Sequence, residues 1–172
     1  RVWRAADGKG LRSLSTSGAI QTVEFSPDGK LLLTMSADGT ARLWETAHWR
    51  LSHKLGRAGP TGPGIASATF SPSGQRVVVT RSHGKTATLW AVDTGARVQV
   101  LRGHRRPLTS ASFSPDSKLV VTTSRDHDAR IWRVASAPAK RGIRRSISTM
   151  SGRSTPARST ASTPSAAVAT IS

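Results

Sequence analysis

The stretch "FSPDGKLLLTMSADGTARLW", residues 25–44, sets an aromatic, a Ser-Pro-Asp-Gly turn, an apolar run, an Asp-Gly turn and a tryptophan in that order. Nearly the same order returns as "FSPSGQRVVVTRSHGKTATLW" (70–90) and "FSPDSKLVVTTSRDHDARIW" (113–132). Phe25, Phe70 and Phe113 are 45 and 43 residues apart, and Trp3, Trp44, Trp90 and Trp132 are 41, 46 and 42 apart. Four of the five tryptophans thus share one period, and a period of about 43 residues is the mark of a repeat architecture.

Within each unit the pattern is that of short antiparallel strands. "AIQTVEF", "IASATF" and "LTSASF" alternate apolar with small polar residues, as a half-buried strand does. Ser-Pro-Asp-Gly supplies a turn: Pro sets φ, Asp bonds the backbone ahead, and Gly accepts positive φ. "KLLLTMS", "RVVVTRS" and "KLVVTTS" are too short for stable helices, and the last two are rich in β-branched residues. A second turn, "ADGT" in the first unit, leads into "TARLW", "TATLW" and "DARIW". "WRLSHKL" and "ARVQVL" add a fourth strand in two units.

This order resembles the WD40 family, whose repeats build the four-stranded blades of a β-propeller. The resemblance covers residues 1–134 and implies an all-β, partial propeller of about three and a half blades. Its repeat cores are 19–55, 65–101 and 108–134, preceded by an outer strand pair in 1–15. Three sheets without α-helix are expected, with Val23, Leu32, Val78, Leu119 and Val121 buried. The chain starts at Arg1 inside a repeat and its last unit stops after a third strand. It therefore reads as the C-terminal end of a larger ring, with two unpaired sheet edges and a tendency to self-associate. Its Arg- and Ala-rich composition gives it a bacterial look.

After Val134 the sequence turns to Ser, Thr, Ala, Pro and Arg, and residues 135–172 read as a disordered tail. Arg145/Ser148, Thr155-Pro156 and Thr163-Pro164 would suit a kinase, yet such pieces arise by chance in this composition.

The resemblance also implies a structural tetrad: His104 of the Gly103-His104 pair, Thr122, Asp126 and Trp132. Read as chemistry, the same hydroxyl, imidazole and carboxylate would suggest a nucleophilic triad. No Gly-x-Ser-x-Gly elbow accompanies them, so the structural reading is preferred. Thr122 lies an even number of residues before Asp126, and Ser124 shares that face. Partial tetrads hold Asp38 and Trp44 in the first unit and Trp90 in the second, where Gly84 takes the Asp position. Ala37, His83 and Arg125 should point to the top face, where partners of the family dock.

The formal charge is +17; residues 1–136 hold 20 basic against 9 acidic residues, and residues 137–172 hold six basic and none acidic. That charge raises an alternative, weak non-specific binding of nucleic acid or another anionic surface. Its other reading is a soluble surface of scattered arginines, since no basic cluster is interleaved with stacking aromatics. There is no cysteine, which excludes disulfides and thiol catalysis and suits a reducing compartment such as the cytoplasm. No apolar run approaches the ~20 residues of a membrane span. The histidines have no familiar metal spacing, and "GRAGPTGPG" (56–64) lacks the Lys-Ser/Thr of a phosphate loop. No cofactor is implied. The expected function is a non-catalytic scaffold presenting loops to proteins or peptides, the sensor or interaction end of a larger protein.

Overall fold

A computed structural model describes residues 1–56 and 65–135, together with the backbone of a strand at 168–171. Among the described residues the regular structure is all β, without a helix. A two-stranded sheet, β1 (Val2–Trp3) and β2 (Gly10–Arg12), comes first. Three four-stranded antiparallel sheets follow. The first blade is β3 (Ile20–Phe25), β4 (Leu31–Ser36), β5 (Ala41–Glu45) and β6 (Arg50–Leu55). The second is β7 (Ile65–Phe70), β8 (Arg76–Arg81), β9 (Thr86–Ala91) and β10 (Arg97–Arg102). The third is β11 (Leu108–Phe113), β12 (Leu119–Ser124), β13 (Ala129–Arg133) and β14 (Val168–Ile171).

The Ser-Pro turns are built by their own side chains. Ser26 Oγ donates to Asp28 Oδ1 at 2.7 Å and accepts from the Leu31 N–H at 2.9 Å. Gly29 and Gly74 follow in the left-handed region, with φ of 71° and 70°. Ser117 takes the same place at φ 62°, a conformation that costs a side-chain-bearing residue more than glycine.

Strand parity sorts the core between the blades. In β8, Val77 and Val79 face the first blade and join Leu33, Leu43, Ala68 and Phe70 in one cluster. Val78 points the other way, into a second cluster with Leu89, Ala111, Val120 and Trp132. The second blade therefore buries one strand face against the first blade and the other against the third. Polar bonds fasten the same joints: Thr69 Oγ1 donates to Glu24 Oε1 at 3.1 Å, and the Ser73 N–H to Ser117 Oγ at 2.9 Å.

This arrangement corrects the expected core. Leu32 and Val78 are buried, at 5% and 1% exposure, but Val23 is 57% exposed, Val121 is 38% exposed and Leu119 is half-buried. By register Val23 matches Ala68 and Ala111, both buried against a preceding blade. Before β3 stand only β1 and β2, so Val23 and Phe25 lie open. Val121 matches Leu33 and Val78, which a following blade covers, and among the described residues none follows the third.

A second correction concerns the tail. Residues 168–171, expected to be disordered, form β14 and pair with β13 from Ala129↔Ile171 to Trp132↔Val168. The edge beside Ala129–Arg133 is thus occupied. A Val-Ala-Thr-Ile run is β-prone, and the open edge of β13 offers it a ladder of unpaired N–H and C=O groups. Residues 136–167 and 172 lie outside the described residues, including Arg145, Ser148 and the two Thr-Pro pairs, as do residues 57–64 of the glycine-rich connection.

Candidate functional site: the polar nets and the hairpin face

In the third blade, β12 and β13 hold Thr122 and Trp132 on one face, and the chain leaving β10 brings in Gly103 and His104. Trp132 Nε1–H donates to Thr122 Oγ1 at 2.8 Å, and that hydroxyl lies 2.9 Å from His104 Nε2. His104 Nδ1 lies 3.0 Å from Asp126 Oδ2. A neutral imidazole protonated at Nδ1 satisfies every atom: indole to hydroxyl, hydroxyl to Nε2, Nδ1–H to carboxylate. The backbone N–H groups of Arg105 (2.7 Å) and Asp128 (3.2 Å) complete the carboxylate's shell. Burial opposes the ionisation of Asp126, but the Arg105 N–H, the His104 ring and the Asp128 N–H together hold its carboxyl well below the usual range.

Ser124 shares the strand face but serves another purpose: its hydroxyl lies 2.9 Å from the Arg106 carbonyl and 3.0 Å from that of Pro107. Thr122 is therefore the hydroxyl that meets His104. Gly103 leaves room for the Arg130 guanidinium, which a Cβ there would displace, and that Cβ would stand 3.3 Å from the Trp132 ring.

The first blade keeps half of this net. Trp44 Nε1–H donates to Thr34 Oγ1 at 2.9 Å, as Trp132 does to Thr122. Ser15-Thr16 stands before β3 where Gly103-His104 stands before β11; with no histidine there, Asp38 is taken by Arg42, whose Nη2 lies 2.6 Å from Oδ2. Arg42 Nη1 also donates to Ser36 Oγ at 2.7 Å, and Ser36 Oγ donates to Asp38. The Arg42 guanidinium, aided by Ser36 and the Thr40 N–H, holds the Asp38 carboxyl well below the usual range against the effect of burial. Arg42 and Arg130 occupy one register position, opposite Thr34 and Thr122. Where His104 already holds the aspartate, Arg130 turns to Asp128 at 3.5 Å; where the histidine is missing, Arg42 fills its place. Arg42 was missed in the sequence, although "ARLW" and "ARIW" set both arginines two residues before the tryptophan.

The second blade has neither net. Val79 stands in the register of Thr34 and Thr122, and Trp90 Nε1 is buried without a hydrogen-bond partner. The turn also differs from expectation. Counting back from Trp90 gives Gly84 the aspartate's position, whereas counting along β8 from its register gives it to His83, at φ 60°. The unit carries one extra residue, which the turn absorbs.

Ala37, His83 and Arg125 are exposed on the turns β4–β5, β8–β9 and β12–β13. His83 and Arg125 line one groove of about 350 Å³ with Ser82, Pro107 and Thr109; Ala37 belongs to the first blade, apart from it. Among the described residues no His/Cys/Asp/Glu cluster could hold a metal ion, and no helix is long and apolar enough to cross a membrane.

Four-stranded blades packed face to face, two of them carrying a tryptophan bonded to a second-strand hydroxyl, define a repeat protein of β-propeller type. Residues 8–45 and 95–133 match WD40, the WD domain, G-beta repeat. The chain belongs to the WD40 repeat family. β7, β8 and β9 of the second blade, which lacks the nets, fall between the two matched stretches. Among curated proteins, WD repeat-containing protein 37 of Xenopus tropicalis is 30% identical over 168 residues, covering 76% of this chain and 34% of that protein. Periodic tryptophan protein 2 of Arabidopsis thaliana is 29% identical over 135 residues, covering 78% and 15%. WD repeat and SOCS box-containing protein 1 of Homo sapiens is 29% identical over 135 residues, covering 76% and 31%. The chain thus spans about a third or less of these relatives, which are eukaryotic and lend no support to its bacterial look.

Proposed function

We propose that the chain is a non-catalytic scaffold whose turn-bearing top face, around His83 and Arg125, docks protein or peptide partners. The observation that carries this reading is the closure of the only triad-like set identified in the sequence. The His104 and Asp126 side chains are 2% and 6% exposed, and each polar group of the set is spent on another. No substrate atom can reach the imidazole, so His104, Thr122, Asp126 and Trp132 act as a structural tetrad. The blades supply rigidity and the exposed turns supply selectivity.

WD40 proteins in general bind other proteins, and the chain is read as the interaction end of a larger one. Its lack of cysteine suits cytoplasmic residence, which is part of the same proposal. The test replaces His83 and Arg125 together by Glu, two exposed changes that leave the packing alone. Partners captured by the wild-type chain should be lost while the far-UV spectrum and melting temperature stay. Retained capture would overturn the docking face. DNA binding that discriminates between sequences and survives about 150 mM salt would favour the nucleic-acid reading, because charge alone is sequence-blind and screened.

A further inference from the structure

Arg76 opens β8 at a register position that is leucine in the neighbouring blades: it pairs with Ala91 as Leu31 pairs with Glu45 and Leu119 with Arg133. It is 8% exposed, and its Nε is buried with no hydrogen-bond partner. Its Nη1 donates to the Gln75 carbonyl at 3.0 Å, and no described carboxylate forms an ion pair with it. A guanidinium stays charged at any relevant pH, so this position holds a buried cation lacking an anion. Burying a charge without a partner is costly, and a leucine would serve the packing better.

Arg76 lies on the wall of a cleft of about 750 Å³ between the second and third blades, at the Ser-Pro end, opposite the top face. Lys118 and Arg133 line the same cleft, and neither is in an ion pair. Ser117 also lines it; its oxygen accepts from the Ser73 N–H, which leaves its own O–H free to donate. The one carboxylate there, Asp116, is engaged by its own turn through Ser114 Oγ and the Lys118 N–H. On its other side Arg76 borders a cleft of about 710 Å³ with Asp28 and Asp93, neither of which ion-pairs with it.

We infer that this cleft binds a phosphate monoester, with Arg76 as its recessed anchor, Lys118 and Arg133 at the rim and the Ser117 hydroxyl as a neutral donor. Three cations against the one carboxylate of Asp116 leave positive charge in excess, which suits an added dianion, and the guanidinium fork suits its paired oxygens. The recess selects a terminal group. A phosphate projecting from a side chain can enter, whereas a phosphodiester lies within its own chain and is held at the rim. The group could come from a phosphorylated serine or threonine of a partner protein or from a free phosphate.

The test follows the Arg76 Nε–H resonance of the full 172-residue chain, assigned by its loss in Arg76→Leu, during addition of a phosphoserine peptide, inorganic phosphate or a short oligonucleotide at constant ionic strength. The resonance should move with the peptide or with phosphate. A peptide that binds more tightly identifies a protein source, and equal binding identifies a free anion. Arg76→Leu should keep the fold and weaken binding by about tenfold or more, and Arg76→Lys should restore it only in part. Should Arg76→Leu fail to fold, Arg133→Ala, an exposed change, should still weaken binding severalfold. No movement with either phosphate, equal movement with the oligonucleotide, or undiminished binding in Arg76→Leu would overturn the site.

Discussion

Val79 occupies in β8 the register position of a threonine in both neighbouring blades, and the indole N–H of Trp90 is consequently buried without an acceptor. The blade is completed by packing: Val79 is 4% exposed, and Trp90 packs against the cluster that contains it.

Restoring the hydroxyl should stabilise that blade. Val79→Thr gives Trp90 Nε1 the acceptor that Thr34 gives Trp44, worth about 1 kcal/mol, less a part for the lost methyl burial. The urea midpoint should rise with an unchanged slope. A fall of more than about 1 kcal/mol would show that packing outweighs the bond.

Removing the imidazole should have the opposite effect on the third blade. His104→Ala leaves Thr122 Oγ1 and Asp126 short of a partner each and should cost about 1–3 kcal/mol. Equilibrium unfolding measures it. Loss of an ester- or amide-hydrolysing activity at full stability would instead make His104 a catalytic residue.

Acid should unfold the chain through Asp38 and Asp126. Both carboxyls are held below their ordinary value in the folded state. Their contribution is therefore complete above the unfolded value of about 4 and is lost as the pH falls below it toward the depressed folded values. Asp38→Asn and Asp126→Asn should be less stable than wild type at pH 7, and the gap should narrow by pH 2.5. A gap of constant size would mean that shape, not charge, holds these turns.

The uncovered faces at the two ends of the stack should drive self-association. Val23→Lys with Val121→Lys places charge on exposed positions and should lower the apparent mass by light scattering without unfolding the chain. Val78→Lys, at the register position of Val121 but 1% exposed, should cost about 3–5 kcal/mol. A double variant that associates as strongly as wild type would place the contact elsewhere.

The all-β blades were legible in the chain because they rest on local chemistry: the Phe period, the Ser-Pro turns, the strand alternation and the tryptophan spacing are each fixed within a few residues. His104, Thr122, Asp126 and Trp132 could be named through the resemblance to the WD40 repeat, which implies a place for each of them. Burial was another matter. Val23 and Ala68 are equivalent in their strands, yet one is open and the other covered, because cover comes from a neighbouring blade some 45 residues away. The choice of Arg42 over a histidine, the orphaned Trp90 and the strand at 168–171 on β13 depend instead on which groups meet within a sheet once its strands are paired. Strand periodicity says which way a side chain points; what it meets there is decided by how the sheets pack.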